Sequence, residues 1–115
     1  MQCEITGTAS HAGTTPMNRR ADAAVAMAEL ALYVEQRALK DGDSVATIGM
    51  LQVPNGSVNV VPGRCLFSLD MRAPNNAQRD ALVADILSEL KHICERRSVH
   101  PVSYTHLTLP TIYSV

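Results

Sequence analysis

The sequence predicts an α+β fold, a two-layer sandwich in which a four-stranded antiparallel sheet carries two helices on one face. Three observations lead there. Two long stretches, about 19–38 and about 77–97, space their apolar residues as helices do. Short apolar segments stand before and between them, and the one over 65–72 alternates residue by residue. Gly, Pro and Asn clusters separate the segments, so the order is strand, helix, strand, strand, helix.

Residues 3–8 alternate weakly and read as a strand that enters the turn Ser10-His11-Ala12-Gly13-Thr14-Thr15-Pro16-Met17. Asn18 is the expected N-cap of the first helix. The expected buried face is Ala24, Met27, Ala28, Ala31, Val34 and Ala38, with Asp22, Glu29, Tyr33, Gln36 and Lys40 as the polar stripe. So many alanines imply close approach of the helix to a sheet, and Asp22 suits the positive end of the helix dipole. Asp41-Gly42-Asp43 ends the helix, and 44–53 is apolar enough for a strand. Pro54-Asn55-Gly56 and Pro62-Gly63 are turn signals that bracket an irregular loop holding Asn59. Cys65, Phe67, Leu69 and Met71 then alternate with Leu66, Ser68, Asp70 and Arg72, which makes a half-buried strand with Arg72 on its polar face. Pro74-Asn75-Asn76 caps the second helix, whose core stripe is Leu82, Ile86, Leu90 and Ile93, with Val83, Leu87 and Cys94 beside it. Asp85, Glu89, His92 and Arg96 face outward. One more strand completes a β-α-β-β-α-β arrangement of the ferredoxin-like kind.

A chain of 115 residues is one domain with a small core. Its formal net charge of −1, with three tyrosines, one phenylalanine and no tryptophan, argues against nucleic-acid binding, which needs clustered cations and stacking rings. Its apolar runs are short of a membrane span, and no secretory leader opens it. Cys3, Cys65 and Cys94 are odd in number and lack the close pairs of a zinc site, so they read as buried free thiols in a reducing cytoplasm. Residues 102–111 have a further property: one back-translation spells an adapter used in preparing DNA libraries. The expected division is therefore a domain over 1–101 and an adapter-derived tail over 102–115, and His106 carries no functional weight.

Three polar residues stand out as a site that grips a small anion. His11 sits on a small-residue turn, Asn59 lies in Val58-Asn59-Val60-Val61-Pro62-Gly63, and Arg72 ends Leu69-Asp70-Met71-Arg72. Imidazole can donate a hydrogen bond to an oxyanion. Guanidinium offers a planar fork that matches a carboxylate. An asparagine adds a neutral donor. Gly13 and Gly63 permit close approach of backbone to a ligand. Each residue also has a plainer role open to it: His11 as a turn cap, Asn59 as a turn former, Arg72 as the ion-pair partner of Asp70. Arg20 and Asp22 read as structural residues at the helix start, and His92 and His100 as surface residues.

The string His11-Ala12-Gly13-Thr14-Thr15-Pro16-Met17 with Arg20 and Asp22, followed by Asn59-Val60-Val61-Pro62-Gly63 and Asp70-Met71-Arg72, resembles the dimerisation (lid) domain of the metal amidohydrolases of peptidase family M-twenty. The similarity covers about residues 2–99 and is strongest to the hydantoinase/carbamoylase branch, which holds N-carbamoyl-L-amino-acid hydrolases, β-ureidopropionases and allantoate amidohydrolases. The resemblance implies a parent enzyme that hydrolyses linear C–N bonds other than peptide bonds in small ureido acids. It implies a homodimer formed through this domain, with His11 reaching the partner's active site to stabilise the oxyanion and with Asn59 and Arg72 holding the substrate carboxylate. Two divalent metal ions, zinc, manganese or similar, belong to a separate catalytic domain. The chain has no His-x-Asp pair and no Glu-Glu pair, so the expectation is no metal ligand here and no hydrolysis by this chain alone. Two alternatives stay open: a free-standing small-molecule-binding or dimerisation module, and the lid of an aminoacylase or dipeptidase of the same superfamily.

Overall fold

A computed structural model describes residues 1–104. Its frame is one antiparallel pair. Strand β1 (Gln2–Thr6) runs against β6 (Arg64–Ser68), from Gln2 opposite Ser68 to Thr6 opposite Arg64. The other elements are β2 (Ser10–His11), α1 (Ala23–Asp41), β3 (Val45–Thr47), β4 (Leu51–Gln52), β5 (Val60–Val61), β7 (Asp70–Arg72), α2 (Asn76–Arg97) and β8 (His100–Tyr104). The main sheet has four antiparallel strands in the order β4-β6-β1-β8. Alternation decides its faces: Cys3, Ile5, Cys65 and Phe67 are buried against the helices, while Gln2, Thr6 and Arg64 lie on the open face.

The core gathers Ile5, Phe67, Leu69 and Met71 from the strands, Leu30 and Val34 from α1, and Leu82, Ile86, Leu90 and Ile93 from α2. Full burial of such a side chain is worth about 1.5–3 kcal/mol. The two helices are also stitched on their outer side. Arg96 and Arg97 both hydrogen-bond Glu29, at 2.7 and 2.6 Å. Those two bonds, Arg96 first, hold the Glu29 carboxyl below the usual carboxylate range. Arg37 bridges Asp85 of α2 and Asp41 of its own helix.

The alternating strand and the second helix match the sequence pattern, with Asn75 capping α2 by accepting from the Gln78 N–H. Three features differ. First, α1 begins at Ala23, not near residue 19, and its N-cap is Asp22, which accepts from the Ala24 and Val25 N–H groups. Met17–Arg19 form a separate 3-10 turn, because Arg20 is extended and Ala21 bridges Thr8 as a strand residue does. Second, the buried face of α1 is Ala23, Ala26, Leu30, Val34 and Ala38. Ala28 is exposed, and Ala24 and Ala31 are only half-buried. The reason is that α1 has two apolar stripes. Val25, Ala28, Leu32 and Leu39 form the second, and they are exposed.

Third, the strand over 44–53 divides into β3 and β4. β3 pairs with β7, Val45 opposite Arg72 and Thr47 opposite Asp70, and β4 pairs with β6, Leu51 opposite Phe67. Ile48, Gly49 and Met50 thus face only Ser68 and Leu69, which is a one-residue bulge in a single long ladder. A second bulge sits at the other end. Gly7 donates to the Gly63 carbonyl, and Ser10 pairs with Val61, so Thr8 and Ala9 face Pro62 alone. The last strand, β8, runs on from the αL cap at Ser98. The expected tail over 102–115 therefore begins inside β8, and its residues from 105 onward lie outside the described residues.

Two outcomes follow from this packing. A Cβ at Gly7 would collide with the Ala21 carbonyl oxygen and stand 3.1 Å from Val99 Cγ1. Gly7→Ala should thus destabilise the fold by about 1–3 kcal/mol in a denaturant melt. Burial also pushes the Cys3 and Cys94 thiols up to about 11 and raises Cys65. At pH 8 an aromatic disulfide reagent should label all three only as fast as the protein unfolds; prompt labelling of the folded chain would contradict this packing.

Candidate functional site

The His11 turn is built mostly from its own backbone. The His11 carbonyl accepts from the Thr14 and Thr15 N–H groups, at 3.4 and 3.0 Å. The Gly13 N–H donates to His11 Nδ1 at 3.0 Å. A ring nitrogen that accepts carries no proton, so the neutral imidazole holds its hydrogen on Nε2. The exposed ring therefore presents an N–H donor outward. Gly13 faces that ring closely, since a Cβ there would lie 3.1 Å from His11 Cε1.

Arg20 closes the turn from beneath. Its Nη2 donates to the Ala12 carbonyl at 2.7 Å and its Nε to the Thr15 carbonyl at 3.1 Å. Sequence reasoning placed Arg20 at the helix start and missed this clamp; its neighbour Asp22 does cap α1. The signal available was a guanidinium close in sequence to a glycine turn rich in free carbonyls.

Asn59 comes to the same place by backbone pairing. β2 and β5 pair His11 with Val60, and the Ala12 N–H donates to the Asn59 carbonyl at 2.8 Å. The Asn59 side chain is exposed, and its Oδ1 accepts from Ser57 Oγ at 2.8 Å. That contact fixes the amide so that Nδ2 remains as a donor. Two neutral donors, His11 Nε2–H and Asn59 Nδ2–H, thus share one loop cluster. Gly63 lies just behind it, lining a cavity of about 230 Å³ with Ala9 and Val60. A Cβ on Gly63 would stand 2.7 Å from the Ala9 nitrogen, so its bareness serves the crossing of two backbones.

Arg72 is elsewhere. It lies on β7, beyond the Ser68 end of the β1–β6 pair, whereas His11 and Asn59 lie beyond the Arg64 end. A strand rises about 3.3 Å per residue, so Arg64 to Arg72 alone spans on the order of 25 Å. Arg72 is exposed on the open face and hydrogen-bonds Asp70 through two parallel bonds, Nε to Oδ1 at 3.0 Å and Nη2 to Oδ2 at 2.9 Å. One chain brings His11 and Asn59 together and keeps Arg72 apart. A cavity of about 490 Å³ between α2 and β8 touches none of the three. Among the described residues no group of three His, Cys, Asp or Glu side chains is placed to hold a metal ion, and no helix is long and apolar enough to cross a membrane.

A family described as the peptidase dimerisation domain matches residues 1–98. The chain belongs to that family. Within it, the dimerisation domain falls in the hydantoinase/carbamoylase branch. It is 38% identical over 95 residues to an N-carbamoyl-L-amino acid amidohydrolase of Geobacillus stearothermophilus, covering 83% of this chain and 23% of that protein. It is 34% identical over 101 residues to a ureidoglycolate hydrolase of Arabidopsis thaliana, covering 86% of this chain and 21% of that one. A crystal structure of a hydantoinase/carbamoylase family amidase from Burkholderia ambifaria superposes with a TM-score of 0.85 at 34% identity, over 88% of this chain and 25% of that chain. The dimerisation domain spans about a quarter of the length of such relatives.

The Arg20 clamp has a direct test. Arg20→Ala leaves the Ala12 and Thr15 carbonyls without their donor and should cost about 1–3 kcal/mol. Amide hydrogen exchange should rise at Gly13 and Thr15 and stay slow across β1 and β6.

Proposed function

We propose that this chain is the lid of a metal-dependent amidohydrolase that cleaves linear C–N bonds, not peptide bonds, in N-carbamoyl amino acids or allantoate-like ureido acids. Kinship with amidohydrolases supports the reaction class. The observation that carries the role of this domain is the distance between Arg72 and the His11–Asn59 donor pair. No small ureido acid reaches across ~25 Å of strand, so both ends act on one substrate only if they come from two copies.

The fold supports such pairing. β3 and β4 lie along an edge of the sheet, and Val45, Met50, Leu51 and Val53 are exposed there. The exposed stripe Val25, Leu32 and Leu39 of α1 is a second apolar surface, and α1 packs beside β3. Together they offer apolar side chains that a second copy would cover. Pairing two edges antiparallel about a two-fold axis sets the Val45 end of one copy beside the Gln52 end of the other. Arg72 stands opposite Val45, and the Asn59 loop follows Gln52. The two-fold thus brings Arg72 of one subunit toward His11 and Asn59 of its partner.

In this reading Arg72 takes the substrate carboxylate. Asn59 Nδ2–H of the other subunit joins Arg72 on that carboxylate, and His11 Nε2–H beside it donates to the carbonyl oxygen as water adds and negative charge builds there. The Gly13 bond holds the ring in the donating tautomer, so no proton must move before the charge develops. The divalent ions belong to the parent's other domain; the described residues of this chain offer them no ligand cluster. By itself the chain hydrolyses nothing. Three free buried thiols support a place in the reducing cytoplasm.

The test is made in the full-length enzyme. His11→Ala should lower kcat by about 10²–10³-fold with little change in KM. Arg72→Ala should chiefly raise KM. Mixing equal amounts of the two mutants, assayed at substrate far below the raised KM so that each alone is nearly silent, should restore about one quarter of the activity, because each mixed dimer then keeps one site with both residues intact. No recovery in verified mixed dimers would mean that the two residues act from the same chain.

A further inference from the structure

The Arg72 subsite already holds a carboxylate, and it belongs to the chain. Asp70 and Arg72 lie two residues apart on β7 and so share the open face. Their two parallel hydrogen bonds, at 3.0 and 2.9 Å, have the fork geometry by which an arginine takes a bound acid. A guanidinium has two such edges, Nε with Nη2 and Nη1 with Nη2. Asp70 fills the first and leaves the second facing outward. The backbone beneath is firm: Met71, between them, is fully buried, and β3 pairs with both residues.

We infer that Asp70 is a positioning residue that fixes the Arg72 guanidinium and offers only its Nη1/Nη2 edge to the substrate carboxylate. This rests on Arg72 being the carboxylate grip. A lone arginine side chain has much rotamer freedom to lose on binding, and a neighbour that sets its plane beforehand removes part of that loss. The Asp70–Arg72 pair is electrically neutral as a unit, so what it gives the ligand is direction more than net charge. Both side chains are about half exposed, 47% and 45%, and an exposed pair contributes little to folding. Its effect on binding is therefore separable from any effect on stability.

The experiment measures KM and kcat of the full-length enzyme on N-carbamoyl-L-alanine and allantoate, together with thermal melts. Asp70→Asn should raise KM about 10-fold on the substrate turned over, with kcat within about two-fold and the melting temperature unchanged. Asp70→Glu, which keeps the carboxylate, should stay within about three-fold of the starting KM. Arg72→Ala should raise KM by about 100-fold. If Arg72→Ala raises KM but Asp70→Asn leaves it unchanged or lowers it, Asp70 does not position the fork, and the role of Arg72 stands. A loss of kcat in step with melting temperature overturns the inference in the same way. If Arg72→Ala leaves KM unchanged, the grip itself is misassigned and the inference falls with it.

Discussion

Between Met1–Leu69 and Gly7–Gly63 the hydrogen bonds run without a break between the same two strands, and the ladder resumes one residue out of step at Ser10–Val61. This pairing sets the position of nearly everything else. It presents Cys3, Ile5, Cys65 and Phe67 to the helices as one apolar face. It carries the His11 turn at one end and hands Arg72 to the other. Its kink at Pro62 is tied to α1, because the Ala23 N–H donates to the Pro62 carbonyl. Proline has no N–H to continue the ladder, so a bulge there costs little, and it re-aims the strand ends that bear His11 and Asn59.

Much of this was legible in the sequence wherever one pattern had one explanation. The alternation of Cys65, Phe67, Leu69 and Met71 admits a single buried face, and all four are buried. The Leu82, Ile86, Leu90, Ile93 stripe and the Asn75 cap behave the same way. α1 was harder because it is apolar on two sides, and residue spacing cannot say which side meets its own core. The start of α1 was missed because Asn18 and Asp22 are both good caps, and the contest is settled by tertiary contacts: the Thr8–Ala21 bridge and the Arg20 clamp. The bulges were invisible, since they are defined by a partner strand far away in sequence. Of the candidate site, the residue types were legible. The neighbourhood of His11 and Asn59 and the separation of Arg72 were not, because both are properties of register.

The electrostatics divide into two kinds. Arg96, Arg97 and Glu29, and Arg37 with its two aspartates, lie between the helices and hold them in position. Among the described residues Arg20 makes no such ion pair; its donors go to carbonyls. It thereby places a fixed positive charge behind the turn while leaving His11 Nε2 and Asn59 Nδ2 as the outward donors. A neutral N–H donor attracts a neutral carbonyl weakly and an oxyanion strongly.

The unbroken run from Gly63 to Arg72 also acts as a ruler. Both bulges lie on the strands opposite it, so along this run each residue adds one fixed step and one reversal of face. One added residue would turn the guanidinium into the core. Two would restore its face but shift it by about 7 Å. The segment between Val53 and Val58 pairs with no strand among the described residues and so carries no such register. That loop can change length without moving the run, while the distance from Arg72 to the His11–Asn59 cluster is held constant by strand arithmetic.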